Sequence, residues 1–175
     1  QAYHDVNAKG ISNSLAKKIV EKLRLSGRVL ISSERSLPDY LKEYEFKGNK
    51  QDIHHYLYYA NLYIGDSQSM AVESAMLGTP NIRFNDFIGK ISILEEIEKK
   101  YGLSIGISSE KPQELMNAID EIIDNNNYLK DFKSKRDYML NDKIDVTAFM
   151  VWFIENYPKS TKIMMENPNY QYNFK

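Results

Sequence analysis

The sequence predicts an α/β fold built around a parallel sheet, and three observations carry that prediction. Short apolar runs alternate along the chain with helical patterns of roughly 10 to 15 residues. Most runs stop at a glycine, a proline or a cluster of small polar residues. The chain has 175 residues, 42% of them hydrophobic and 27% charged, which is enough for one buried core of ordinary composition. Crossovers between neighbouring parallel strands are then expected to be right-handed.

The elements follow in order. Gln1-Ala2-Tyr3 reads as the end of a strand, and "HDVNAKGIS" as the loop after it. Ser12 or Ser14 can cap a helix over roughly 14 to 26, with Leu15, Ile19, Val20 and Leu23 on one face and Ser26-Gly27 closing it. "RVLISS" (28 to 33) is a short buried-type strand, "LPDYLKEY" a turn with a short helix, and "KGNK" a further turn. "QDIHHYLYYA" is a helix capped by Asp52, with Ile53, Tyr56, Leu57 and Ala60 at helical spacing. "NLYIG" is a strand, 66 to 77 a helix, "NIRF" a strand, and "ISILEEIEKKYG" a helix ending at Gly102. "LSIGI" is another strand, and "KPQELMNAIDEIIDNNN" a helix with proline in its first turn and Leu115, Ile119 and Ile122 on one stripe. The asparagine run ends that helix. "DVTAFMVWFIENY" (145 to 157) is a last, strongly apolar helix before a polar, aromatic tail. Residues 1–144 are therefore read as the sheet-bearing domain and 145–175 as a carboxy-terminal helix and tail.

Charge and composition exclude several classes. Lys plus Arg (23) nearly balances Asp plus Glu (24), without the basic excess that nucleic acid demands. No cysteine is present, so a disulfide framework, a thiolate metal site and a thiol nucleophile are excluded. The longest apolar run, Ala148 to Ile154, is far too short for a membrane span. No metal site is expected, and the expected location is cytoplasmic or membrane-peripheral. GxGxxG, GxxxxGK[ST] and GxSxG are all missing, which argues against a dinucleotide fingerprint, a P-loop and a hydrolase nucleophile elbow.

The stretch "YIGDSQSMAVESAMLGTP" (63 to 80) holds the candidate site. Ligands of open parallel sheets sit beyond the carboxyl ends of the strands, and Gly65 to Ser69 is such an end. Backbone amides in the first turn of the following helix lack intrahelical partners and face the positive end of its dipole. Gly65 keeps the approach free of a Cβ, while Ser67, Gln68 and Ser69 add donors to an anion cradle suited to phosphate. The plain alternative is that Asp66 or Ser67 only caps its helix. Glu73 lies too far along to complete a capping box and shares a face with Ser69 and Asp66, so it suits the paired hydroxyls of a ribose. In the first loop, His4 can donate to a phosphate or move a proton, with Asp5 beside it. Asn85 and Asp86 hold the same position on another strand. His54 and His55 are adjacent, so they point apart and read as structural.

With Asp66-Ser67, Glu73 and Gly78-Thr79-Pro80 in place, the stretch resembles the carboxy-terminal half of GT-B-fold proteins. Its spacing is similar to that of UDP-N-acetylglucosamine 2-epimerases, in which an Asp-Ser-Gly-Gly turn precedes a Glu and a Gly-x-Pro. "HDVNAKG", "DIHHYLYYANLYIGDSQSMAVESAMLGTPNIRFN" and "LEEIEKKYGL" resemble more closely the DUF354 family, itself regarded as GT-B-like; the resemblance covers roughly residues 2 to 155. It implies a three-layer α/β/α Rossmann-like domain with a mainly parallel sheet. It also implies a UDP-linked nucleotide-sugar ligand, with Ser67, Gln68 and Ser69 toward the diphosphate and Glu73 toward the ribose. His4 falls where the epimerases carry a His-Arg pair, with Asp5 in place of the arginine, and Gln68-Ser69 replace their double glycine. The family's second, amino-terminal domain would pack against 145–175. The resemblance makes the chain the donor half of a glycosyltransferase or nucleotide-sugar epimerase for surface polysaccharide, binding ligand but scarcely turning it over alone. The alternative is a non-catalytic binding module that keeps the fold.

Overall fold

The structure, a computed structural model, describes residues 9–125 and 127–175. His4, Asp5 and the strand expected at Gln1-Ala2-Tyr3 lie outside the described residues. Three parallel strands form the sheet in the order β1 (Tyr63–Gly65), β2 (Asn81–Asn85), β3 (Ile105–Ser108). Tyr63 stands opposite Asn81, Gly65 opposite Arg83, and Asn85 opposite Ser108. All three strands run the same way, so their carboxyl ends share one edge.

Helices cover both faces. The helix α1 (Asn13–Leu23) begins at Ser12, whose hydroxyl accepts the Leu15 amide at 3.2 Å. After α2 (Ile53–Tyr59) and β1 comes α3 (Gln68–Leu77), capped by Ser67 and ended by Gly78 at φ +74. Then follow α4 (Ser92–Lys99), α5 (Pro112–Asp124) and α6 (Tyr128–Asp142). Gly102, at φ +62, lets Leu103 close the end of α4 by donating to the Ile97 carbonyl at 2.9 Å. On one side of the sheet Ile82 and Phe84 pack with Leu15 and Ile19 of α1 and Leu115, Ile119 and Ile122 of α5. On the other, Ala75, Ile97, Leu103, Phe132 and Met139 join α3, α4 and α6 into a second cluster. Each fully buried side chain of this kind contributes about 1.5–3 kcal/mol relative to exposure. The result is a three-layer α/β/α arrangement.

Several local expectations are corrected. The run 28–33 is not a strand among the described residues: only Ile31 bridges, donating to Tyr44 and accepting from Phe46. The partner segment follows a 3-10 turn (Asp39–Tyr44) immediately, so no longer ladder develops there. Asp52 does not cap α2 with its side chain. A 3-10 turn (Lys50–Asp52) runs into the helix and already bends Asp52 to φ -93, ψ 7, while Asn49 supplies the cap by accepting the Gln51 amide. The first helix ends at Leu23, three residues short of its expected end. The unassigned stretch after the asparagines forms α6.

The segment after α6 folds on itself. Helix α7 (Val146–Glu155) starts at Asp145, whose carboxylate accepts the Ala148 amide at 2.9 Å. Helix α8 (Lys159–Glu166) and a 3-10 turn (Pro168–Phe174) return against it. Trp152 stacks on Tyr170 with centroids 4.8 Å apart, and Phe149 meets Phe174 edge-on. The expected tail thus contains a further helix, α8, so α7 is not the last, and the aromatic residues of the tail pack onto α7. The opposite stripe of α7 (Val146, Met150, Ile154, with Tyr157 beyond) stays exposed. No described helix is long and apolar enough to cross a membrane.

Candidate functional site

The carboxyl edge of the sheet draws four loops together. Asp86, just past β2, accepts the Lys9 amide at 2.9 Å with one carboxylate oxygen and the Ser109 hydroxyl with the other. These hydrogen bonds, Ser109 first and Lys9 second, hold its carboxyl below the usual aspartate range. Asn85 is buried; its amide donates to the Asp66 carbonyl at 3.1 Å and its oxygen accepts the Phe87 amide at 2.9 Å. Both ends of that side chain are hydrogen-bonded, so Asn85, expected at the cleft, braces its rim.

Asp66 closes the arrangement. Its carboxylate accepts the Ile11 amide at 3.4 Å. A Cβ on Gly10 would overlap that carboxylate, so a glycine is required where the first loop passes Asp66. The two turns singled out in the sequence, the one before α1 and the one before α3, are therefore neighbours. Between Asp66 and α1 lies an open cleft of about 520 Å³. Leu15, Phe84 and Pro112 line its floor; Lys9, Lys18, Arg35, Ser12, Ser14 and Ser109 line its rim. A cleft with apolar walls and a few convergent polar groups is the form ligand sites take.

The turn before α3 is open but differently equipped. The Ser67 hydroxyl accepts the Met70 amide at 3.4 Å and touches Ser69 Oγ at 3.3 Å, so it acts as the cap. The amides of Gln68 and Ser69 meet no acceptor among the described residues, and Ser69 is exposed. Gly65 is needed for a reason the sequence does not display. A Cβ there would strike the Tyr63 hydroxyl, so the bare position makes room for a phenol rather than for a ligand. Burial raises the Tyr63 hydroxyl well above its ordinary value, with the Asp66 and Glu73 charges adding to the effect. Glu73 faces His54 of α2, Oε2 to Nε2 at 3.2 Å, and does not line the cleft.

Of the expected site residues, then, the structure brings Asp66 to the cleft and leaves Ser67, Gln68, Ser69 and Glu73 along its α3 side. The sequence reading missed Lys18, Arg35 and Ser109. A signal existed for the first: Lys18 lies four residues after Ser14 and so shares its helix face. Nothing local marks Arg35, which arrives from a separate loop. Among the described residues no group of three His, Cys, Asp or Glu could hold a metal ion. No family model, curated protein or solved structure matches the chain.

Proposed function

We propose that this chain is the nucleotide-sugar-binding half of a glycosyltransferase or nucleotide-sugar epimerase, with a UDP-linked ligand held along the carboxyl edge of the sheet. The observation that supports it is the meeting of the turn before α1 and the turn before α3 at one cleft, locked by Gly10 against Asp66 and by the Asp86 bridge. In this reading the first-turn amides of α3 and the loop 9–12 share the ligand's phosphates, and Glu73 takes the ribose. The exposed stripe of α7 would meet the second domain that carries the acceptor side.

A second reading, a binding module without catalysis, draws on two contacts. Ser67 is occupied by the Met70 amide and Glu73 lies against His54, so two expected ligand groups already have protein partners. Amide spectra of the chain titrated with UDP and a UDP-sugar test the first reading. Signals of Gly65 to Ser69 should move and saturate; silence there up to millimolar ligand would remove it. Glu73→Ala separates the readings further. A ribose contact lowers UDP affinity at unchanged Tm, whereas a purely structural pair with His54 lowers Tm at unchanged affinity.

A further inference from the structure

We infer that the cleft takes the phosphate end of an organic phosphate, held chiefly by Lys9, Lys18 and Arg35, with the turn before α3 in the lesser part. The inference rests on the reading of this rim as an anion site given above, and it names which side of the rim holds the charge.

The three cations come from three places: the first loop, the exposed face of α1, and the loop after Ser33. The guanidinium of Arg35 donates to the Ile11 carbonyl at 3.5 Å, which sets it beside the first loop, and its other N–H groups meet no acceptor among the described residues. Its own backbone is held by Ser33, whose hydroxyl donates to the Arg35 carbonyl at 2.8 Å and accepts its amide at 3.1 Å. None of the three forms an ion pair among the described residues. The neighbouring lysine on α1, Lys17, does: it pairs with Glu21 at 3.8 Å and lies over the Tyr40 ring. Two carboxylates face the trio. Asp66 forms a wall of the cleft, and Asp86 is engaged by the Lys9 amide and Ser109. Three positive charges against these two carboxylates leave an excess of one, which an anion offsets. Phosphate fits better than carboxylate, because its several oxygens can accept from an arginine fork and from lysines at once. The apolar floor of Leu15, Phe84 and Pro112 calls for a group attached to that phosphate.

The α3 side has the opposite electrostatics. Asp66 and Glu73 both act on the Tyr63 hydroxyl there. Two carboxylates beside the first turn weaken its hold on a phosphate, so most of the charge recognition falls to the α1 side.

Titration of the full chain with pyrophosphate at low salt, followed by amide spectra and calorimetry, tests this. Signals of Lys9 to Leu15 and of Arg35 should shift and saturate. Lys18→Ala and Arg35→Ala should each weaken binding roughly tenfold or more, the usual effect of losing a charge-assisted hydrogen bond. Lys17→Ala should leave it within about twofold, since exposed charges on their own contribute little. All three positions are exposed, and an unchanged Tm confirms that folding is intact. Absence of saturable binding, indifference to both cleft substitutions, or an equal loss from Lys17→Ala would overturn the inference. UDP distinguishes it from the nucleotide reading. If UDP binds no tighter than pyrophosphate, the nucleotide reading falls and this one stands; if UDP binds but ignores Lys18→Ala and Arg35→Ala, the reverse holds.

Discussion

On one face of β2, Ile82 and Phe84 meet apolar side chains of α1 and α5; on the other, Asn81, Arg83 and Asn85 are equally buried but almost wholly hydrogen-bonded. Asn81 donates to the Leu103 carbonyl at 2.7 Å and accepts the Ser104 hydroxyl at 2.6 Å. Arg83 donates to Glu98 at 2.8 Å and to Ser104 at 3.3 Å, with its Nη1 lacking any partner among the described residues. The apolar face derives its stability from area removed from water, which is non-directional and tolerates reshaping. The polar face depends on partners. Removing one leaves the other stranded in a low dielectric. The same strand therefore answers mutation in two ways, and its polar face is the one that continues through Asn85 into the rim of the cleft.

The largest expected effect tests that contrast directly. Arg83→Ala should destabilise by about 3 kcal/mol, the lower end for breaking a buried pair, because Glu98 keeps 25% of its side chain exposed and can turn to water. In a domain of this size that lowers Tm by roughly 6 to 12 °C. Replacing both partners, as Arg83→Met with Glu98→Leu, should restore most of the loss. A single variant that melts with the parent would show that the two faces do not differ.

This contrast also marks where the sequence stops being informative. "NIRF" reads as a strand because its apolar residues sit between Pro80 and a polar turn, and the strand is there. Nothing within those four letters says that Arg83 is fully buried, since the burial depends on Glu95 and Glu98 from the next helix. Helix α6 escaped notice for a related reason. Its charge-rich sequence has no broad apolar stripe, and only Phe132 and Met139 are buried. The rim was legible at Gly65 to Ser69, where strand end, cap and helix are consecutive. It was illegible at Arg35, which reaches the cleft through tertiary packing alone.

A smaller effect is expected at Gly106 of β3. A Cβ there would come within 2.5 Å of Glu98 Oε2 and 3.0 Å of Arg83 Nη2. Gly106→Ala should cost about 1–3 kcal/mol by pushing the ion pair apart. It should cost far less in the Arg83→Met, Glu98→Leu background, where the crowded atoms are gone. Equal costs in the two backgrounds would mean that backbone strain, not the pair, dominates. On the apolar face, Ile82→Val should cost only about 0.5–1.5 kcal/mol, since the neighbours from α1 and α5 can relax into the space.

The smallest effect belongs to the end of the polar face, at Asp86. Hydrogen bonds from Ser109 and from the Lys9 amide depress its folded-state pKa below the ordinary value, which the unfolded chain restores. A carboxylate of this kind contributes stability that is fully present above the unfolded pKa. That contribution is lost as the pH falls through the depressed folded value, because protonation in the folded state must break those bonds. Loosening of loop 9–12 should therefore begin only below the ordinary aspartate range, about pH 3.9. Faster exchange of the Lys9 amide would report it. Asp86→Asn removes the titration, so its Lys9 exchange should keep only the intrinsic pH dependence. Loosening that already sets in near pH 5, or that survives Asp86→Asn, would place the control elsewhere. In that case the polar face of β2 would end at Asn85 and have no hold on the first loop of the cleft.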